Sequence, residues 1–187
     1  VLLLVTGMPG SGKSVFASVA ASLGFEVFSM GDVVREFAQR AGITEAAEVN
    51  VFADRERKDH GPDVWAIRTA ERIAESGARR VVVDGVRSRF EAEVFERVLG
   101  KRAVVVAIVA PRMERYRRIL GRGRVDDPES IMELQSRDWR EISWGVAELI
   151  ALADYYIVND EDLDSFMEKS KKKLREILER EAPAGAE

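Results

Sequence analysis

The stretch GMPGSGKS at residues 7–14 sets Gly7, Gly12, Lys13 and Ser14 at the spacing G-x-x-x-x-G-K-[ST]. The apolar run VLLLVT precedes it and SVFASVAASLG comes after it. A buried strand, a glycine-rich turn and a helix in that order make a cradle whose backbone N–H groups face a phosphate. Glycine lets the backbone come close to the ligand, and Pro9, Gly10 and Ser11 complete the expected nucleotide-holding set. Lys13 is placed to reach the β and γ oxygens of ATP, and the Ser14 hydroxyl to help hold Mg²⁺. The helix that starts here adds its positive end. A glycine-rich turn with no nucleotide is the bland alternative. The strand before, the helix after and the Lys-Ser pair argue against it.

Such a loop needs a strand inside a sheet, and the rest of the chain supplies one. Strands are expected at Leu2–Thr6, Glu26–Ser29, Arg80–Asp84, Ala103–Val109 and Tyr155–Val158. The runs RVVVD and AVVVAIV are continuously apolar and β-branched, as strands covered on both faces must be. Helical patterns alternate with them. DDPES reads as a helix start with Asp127 as cap, Pro128 in the first turn and Glu129 near the positive end. Trp139, Ile142, Val146 and Leu149 then come at helical spacing, and Leu163, Phe166, Ser170, Leu174 and Ile177 form the stripe of a last helix. The three tryptophans read most simply as core. This alternation predicts an α/β three-layer sandwich around a five-stranded parallel sheet.

With 187 residues, 46% of them apolar and 33% charged, one globular domain is expected. We expect it over residues 1–181, with residues 182–187 as a frayed tail. Gly31 to Gly77 is far longer than one crossover needs and reads as an insertion that handles an acceptor. The polar excursion GRGRVDD belongs to a short lid over about 112–128. A net charge of −4 gives no overall positive field, so nucleic acid is disfavoured as a partner and any anion site must be local. No apolar run approaches the ~20 residues that span a bilayer, so no membrane partner is expected. VLLLVTG runs directly into the phosphate loop with no basic region before it, which argues against a signal peptide. The chain has no cysteine. That excludes disulfides and thiolate zinc sites and fits a reducing, cytoplasmic home.

Several charged residues are candidates for chemistry. Asp84 ends the run VVVDG, where a carboxylate can hold magnesium through its water shell. Asp-Gly is also an ordinary turn pair. PRMERYRRILGRGR carries six arginines and one acid, Glu114. Arg115, Arg118 and Arg122 fall on one side of a helix, an uncompensated face suited to phosphate oxygens. An arginine run also tracks an RNA backbone. In SMGDVVREF, Asp32 and Arg35 stand three apart. Asp32 reads either as a helix cap or as a substrate group, and Arg35 as a solvated charge or as a grip on an acceptor phosphate. Arg87 in DGVRS is offered near the sheet's edge. Arg55, Arg57 and Lys58 read as surface charges, and His60 as a loop residue before Gly61-Pro62.

Taken together, GMPGSGKS, GDVVR, VVVDGVRS and RRILGRGRVDD resemble the adenylate-kinase group of nucleoside monophosphate kinases, and specifically archaeal adenylate-kinase-related P-loop proteins. In the latter, HGP, DGVRS, GRGRVDDP and RDWREISWGVAELIALADYYIVN recur over nearly the whole chain. The resemblance implies a sheet in the order 2-3-1-4-5, an acceptor-binding insertion after strand two and a lid after strand four. It implies Arg35 on the acceptor phosphate, Arg118 and Arg122 on the transferring phosphate, and Arg124 and Arg137 closing from the lid side. Adenylate kinases carry D-G-F-P-R after strand three. Here Asp84-Gly85-Val86-Arg87 is one residue shorter, which leaves the part of Arg87, and AMP specificity, open.

The preferred acceptor is a nucleoside monophosphate such as AMP. Its phosphate is already ionised, so positioning and charge neutralisation suffice. A hydroxyl acceptor, as in dephospho-coenzyme A or shikimate kinases, needs a carboxylate at its proton, and Asp32 sits where the former carry an aspartate. A nucleotide-dependent ATPase or RNA-associated switch with no small acceptor is the third reading. The sequence leaves the oligomeric state open.

Overall fold

A computed structural model of the chain describes residues 1–122 and 130–181. Five strands form one parallel sheet: β1 (Leu2–Thr6), β2 (Glu26–Ser29), β3 (Val81–Asp84), β4 (Val104–Val109) and β5 (Tyr155–Val158). Their order is β2-β3-β1-β4-β5, as expected. All four pairings are parallel. Three expected strands match to the residue, while β3 and β4 each start one residue late.

Alternation across the pleat divides the core in two. Leu2 and Leu4 of β1 face one cluster with Val81 and Val83. Leu3 and Val5 face the other with Val82, Val104 and Val106. Helices α1 (Lys13–Ser22) and α9 (Leu163–Glu181) seal the second face with Phe16, Phe166, Leu174 and Ile177. Leu163, expected on that stripe, is exposed, because it opens the helix beyond the sheet's cover.

The first face is covered by five helices: α2 (Met30–Arg40), α3 (Ala46–His60), α4 (Val64–Ser76), α5 (Arg89–Leu99) and α8 (Val146–Ala151). The first three of these account for the long stretch after β2. Trp65 is their fully buried anchor, meeting the Phe37 ring edge-on at 5.8 Å. Its indole N–H donates to the Ala53 carbonyl at 3.2 Å.

Helices α6 (Arg112–Arg122) and α7 (Ile131–Ser143) flank residues 123–129. They meet through a small cluster of their own: Tyr116, Ile119 and Leu134. The expected helix start at Asp127, Pro128 and Glu129 lies outside the described residues. The cap that α7 shows is Ser130, whose hydroxyl accepts from the Glu133 N–H at 3.2 Å. The stripe from Trp139 to Leu149 is two helices, broken at Gly145 with φ 108. Val146 and Leu149 are buried, whereas Trp139 is 71% exposed and Ile142 also faces outward. Only Trp65 of the three tryptophans is core. His60 ends α3 instead of standing in a loop. Among the described residues, no helix is long and apolar enough to cross a membrane.

Candidate functional site

The register brings the site together. Val5 pairs with Asp84 and Ser29 also pairs with Asp84, so the ends of β1, β2 and β3 lie side by side. The segments that leave these three strands share one rim: the phosphate loop after β1, α2 after β2, and the turn to Arg87 after β3. A cavity of about 410 Å³ opens there, within the range of small-molecule sites.

Of the expected nucleotide-holding residues, Gly7, Pro9, Gly10, Gly12, Lys13 and Ser14 line this cavity. Ser11 is buried behind it. The loop is a cradle that side chains would fill: at Gly12, with φ 109, an added Cβ would stand 2.4 Å from the Asn159 amide nitrogen. Lys13 Nζ donates to the carbonyls of Gly7 at 2.7 Å and Met8 at 3.2 Å. Burial lowers its pKa, while the nearby carboxylates of Asp84 and Glu141 pull it back up. Both acids therefore bear on the Lys13 ammonium.

Asp84 lines the cavity, and its Oδ1 is buried with no hydrogen-bond partner. Burial raises its pKa, opposed by Lys13 and then by Arg87. An orphaned carboxylate oxygen beside the exposed Ser14 hydroxyl is a hard-oxygen donor set that fits Mg²⁺. Among the described residues, no group of three or more His, Cys, Asp or Glu could hold a metal.

Asp84→Asn tests this balance of stability and function. Because the folded-state pKa of Asp84 is raised, its charged form costs stability above that pKa, and falling pH relieves the cost. We expect the variant to melt higher than the wild type at pH 7 and to lose Mg²⁺-dependent turnover. The gap in Tm should shrink as pH falls through the raised pKa. A lower Tm at pH 7, with a gap that does not change with pH, would contradict this reading.

The arginines divide into those that reach the cavity and those that do not. Arg35, Arg87, Arg118, Arg122 and Arg137 all line it. The expected face of three uncompensated guanidiniums on α6 needs correction, since Arg115 is buried and salt-bridged to Asp138 at 2.6 Å. Its counter-charge comes from α7, 23 residues along the chain. Arg118 Nη2 donates to the Asn159 backbone carbonyl at 3.1 Å and to Oδ1 at 3.2 Å, while its Nη1 is buried with no partner. Asp32 is exposed, is bonded to Arg35 and does not line the cavity. Ser29 caps α2 in its place. Arg124 lies outside the described residues.

Two functional neighbours were not anticipated. Glu141 lines the cavity and accepts from Arg87 Nε at 3.1 Å. Its signal was a position four residues after Arg137, on the same side of a helix. Trp144 lies between two guanidiniums, with Arg57 Cζ 4.9 Å and Arg87 Cζ 5.5 Å from its ring centre. Arg57 is thus largely covered, with 16% of its side chain exposed, rather than a surface charge; Arg55 and Lys58 are exposed. Below Arg87, buried Glu91 accepts from the Arg87 backbone N–H at 2.7 Å. Burial raises the Glu91 pKa, with Arg87 opposing. Arg87 is therefore fixed at its backbone by Glu91 and at its guanidinium by Glu141, with Trp144 against it.

Comparison with known proteins agrees with the fold. Residues 6–135 match the family described as an AAA domain. A UPF0200 protein of Thermoplasma acidophilum is 49% identical over 176 residues, covering 94% of this chain and 96% of the relative. A UPF0200 protein of Hyperthermus butylicus is 46% identical over 177 residues, with 94% of each covered. Among solved structures, shikimate kinase from Acinetobacter baumannii in complex with shikimate superposes with a TM-score of 0.61 at 16% identity, covering 97% of this chain and 96% of that one. A gluconokinase from Sinorhizobium meliloti gives 0.63 at 16%, covering 96% and 94%. These structural likenesses carry the P-loop kinase fold.

Proposed function

The chain belongs to the UPF0200 family of archaeal P-loop proteins, and from that premise we propose that it transfers the γ-phosphoryl of ATP to a nucleoside monophosphate such as AMP, with Mg²⁺, in the cytoplasm. One kinase domain over residues 1–181 carries the reaction, with the acceptor insertion at about 31–77 and the lid at about 112–128. The observation that supports this reading most is the cavity wall itself. Five arginines from four separate parts of the chain share it with Lys13, while Asp32, which the sequence offers as a base for a hydroxyl acceptor, is not among its lining residues. Of the two carboxylates that do line it, Glu141 is paired with Arg87 and Asp84 is assigned in this reading to Mg²⁺.

In this reading Gly7, Pro9, Gly10, Ser11, Gly12 and Ser14 hold the triphosphate of ATP. Lys13 tracks the charge on the β–γ bridge. Ser14 and Asp84 would hold Mg²⁺, which would supply positive charge to the phosphate oxygens. Arg35 and Arg87 hold the acceptor phosphate, with Arg137 beside Arg87. Arg118 and Arg122 face the transferring group, which Arg124 also serves. The acceptor's phosphate oxygen bonds to the γ-phosphorus as the bond to the bridging oxygen breaks, and ADP leaves with that electron pair. The attacking oxygen is already ionised, so no base has to take a proton.

Mixing the protein with Mg·ATP and AMP, CMP, UMP or GMP, and resolving the nucleotides formed, tests the reading. A diphosphate product is expected with at least one of them. Slow hydrolysis unaffected by any of the four removes the proposal, and salt-sensitive RNA binding in its place points to an RNA-associated ATPase.

The pair of residues on α2 separates acceptor types. Arg35 and Asp32 are 60% and 69% exposed at the side chain, so replacing either leaves the fold intact. Arg35→Ala is expected to raise the acceptor KM by about 10- to 100-fold through a lost charge-assisted bond. Asp32→Asn is expected to change kcat by less than about tenfold. A hydroxyl-acceptor kinase with Asp32 as base would instead lose about 10²-fold or more, which steady-state kinetics on the two variants would detect.

A further inference from the structure

Two carbonyls of the phosphate loop are held from outside the cavity, each by a side chain that is itself locked. Arg115 Nη1 donates to Pro9 O at 2.9 Å. Asp138 fixes that guanidinium, with Oδ1 at 2.9 Å from Nη1 and Oδ2 at 2.6 Å from Nη2, and the Tyr116 hydroxyl donates to the same carboxylate at 3.0 Å. On the other side, Asn159 Nδ2 donates to Ser11 O at 2.7 Å. The Asn159 Oδ1 accepts from Arg118, so the amide can face Ser11 only through its N–H₂. Arg115, Asp138 and Asn159 are all buried, and none of them lines the cavity.

A trans peptide is planar, with its C=O and the next N–H on opposite sides. The carbonyl of Pro9 shares a plane with the N–H of Gly10, and that of Ser11 with the N–H of Gly12. Pinning the two carbonyls away from the cavity turns the two N–H groups toward it. Neither N–H donates to any described residue, and both glycines line the cavity. The packing leaves no slack on this side, since a Cβ on Gly10 would meet Arg115 O at 2.7 Å.

We infer that Asn159, and Arg115 as set by Asp138, are positioning residues that aim the Gly12 and Gly10 N–H groups at the phosphates, so that α6, α7 and the end of β5 preform the anion cradle. The inference deepens the reading above by naming what orients the phosphate loop, and it extends to any nucleotide whose β-phosphate sits there. It gives the buried Arg115–Asp138 pair a task that an apolar pair of similar volume cannot perform.

The test uses the full chain and inorganic pyrophosphate with Mg²⁺ as probe, titrated by calorimetry. Asn159→Asp keeps the acceptor for Arg118 and removes the donor to Ser11. The double variant Arg115→Met/Asp138→Leu replaces a buried ion pair by apolar groups, a change that preserves or raises stability in other proteins. It removes the donor to Pro9. Each variant is expected to bind pyrophosphate about tenfold or more weakly than the wild type, with the double variant melting at or above the wild-type temperature. In ¹⁵N-glycine spectra the Gly10 and Gly12 amide protons of the wild type should move on binding, and the corresponding signal should move little in each variant. Affinities within threefold of the wild type in the folded double variant, with both glycine signals still responding, would overturn the inference. A wild type that binds pyrophosphate yet phosphorylates no monophosphate would overturn the proposed acceptor and leave this inference standing.

Discussion

Lys13→Met is expected to lower phosphoryl transfer by about 10³-fold or more while the protein stays folded. Removing one preorganised donor from a site of developing charge costs about 10²–10³ in kcat, and Lys13 is also the cation nearest the β–γ bridge in the proposed geometry. Methionine keeps the apolar stem against the loop, so the packing is retained. Burial already disfavours the ammonium, as its lowered pKa records, so the charge contributes function more than stability. Its two bonds to Gly7 and Met8 carbonyls are lost, and the expected change in Tm is small. Initial rates with Mg·ATP and a monophosphate, beside a thermal melt, check both halves. A loss below tenfold would mean that the lysine merely braces the loop.

Gly7→Ala is expected to damage the site by crowding and by backbone strain. The new Cβ would stand 2.2 Å from the Ile108 backbone oxygen and 2.8 Å from Ser11 Oγ, at a residue with φ 145. Ile108 is a member of β4, paired with Ile157 of β5, so its carbonyl cannot retreat without breaking the sheet. The loop has to move instead. Overpacking costs about 1–3 kcal/mol and a backbone conformation that side chains avoid costs about 1–3 kcal/mol more. A loss of about 2–6 kcal/mol, with nucleotide binding abolished, is expected from denaturant unfolding and an ADP titration. Gly121→Ala supplies the stability control: a Cβ there meets nothing within 4 Å, and alanine favours the helix. Equal stabilities for the two variants would show that the phosphate loop adapts to a side chain.

The parts of the molecule that were legible in the sequence are those whose signal is local. VVVD and VVVAIV carry their strand character in four and six adjacent residues. GMPGSGKS carries the cradle in eight, and a parallel α/β sheet results from the alternation of such strands with helices. Pairings between distant positions have no such period. Arg115 reads as one more arginine on a basic face until Asp138, 23 residues later, is packed against it. Arg87 meets Glu141 across 54 residues, and nothing near either position announces the other. Helical spacing likewise runs unbroken in the sequence from Trp139 to Leu149. The chain stops the helix at Trp144 and restarts it after Gly145, which turns Trp139 outward and leaves Trp144 to stack between Arg57 and Arg87. Asp32 is equally suited by sequence to capping or chemistry. In the structure Ser29 takes the cap and Arg35 pairs with the carboxylate.

One spatial claim is central: cations from the phosphate loop, the β3 turn, the insertion and the lid stems serve two phosphate-bearing substrates in a single cavity. A dinucleotide in which five phosphates join two adenosines spans both positions at once, and calorimetry against ADP under matched Mg²⁺ measures that claim directly. Joining the two substrates spares the second one its cost of association. The expected Kd is at least about 100-fold below that of ADP, with Arg35→Ala erasing most of the gain. A Kd equal to that of ADP, unchanged by Arg35→Ala, would contradict the claim.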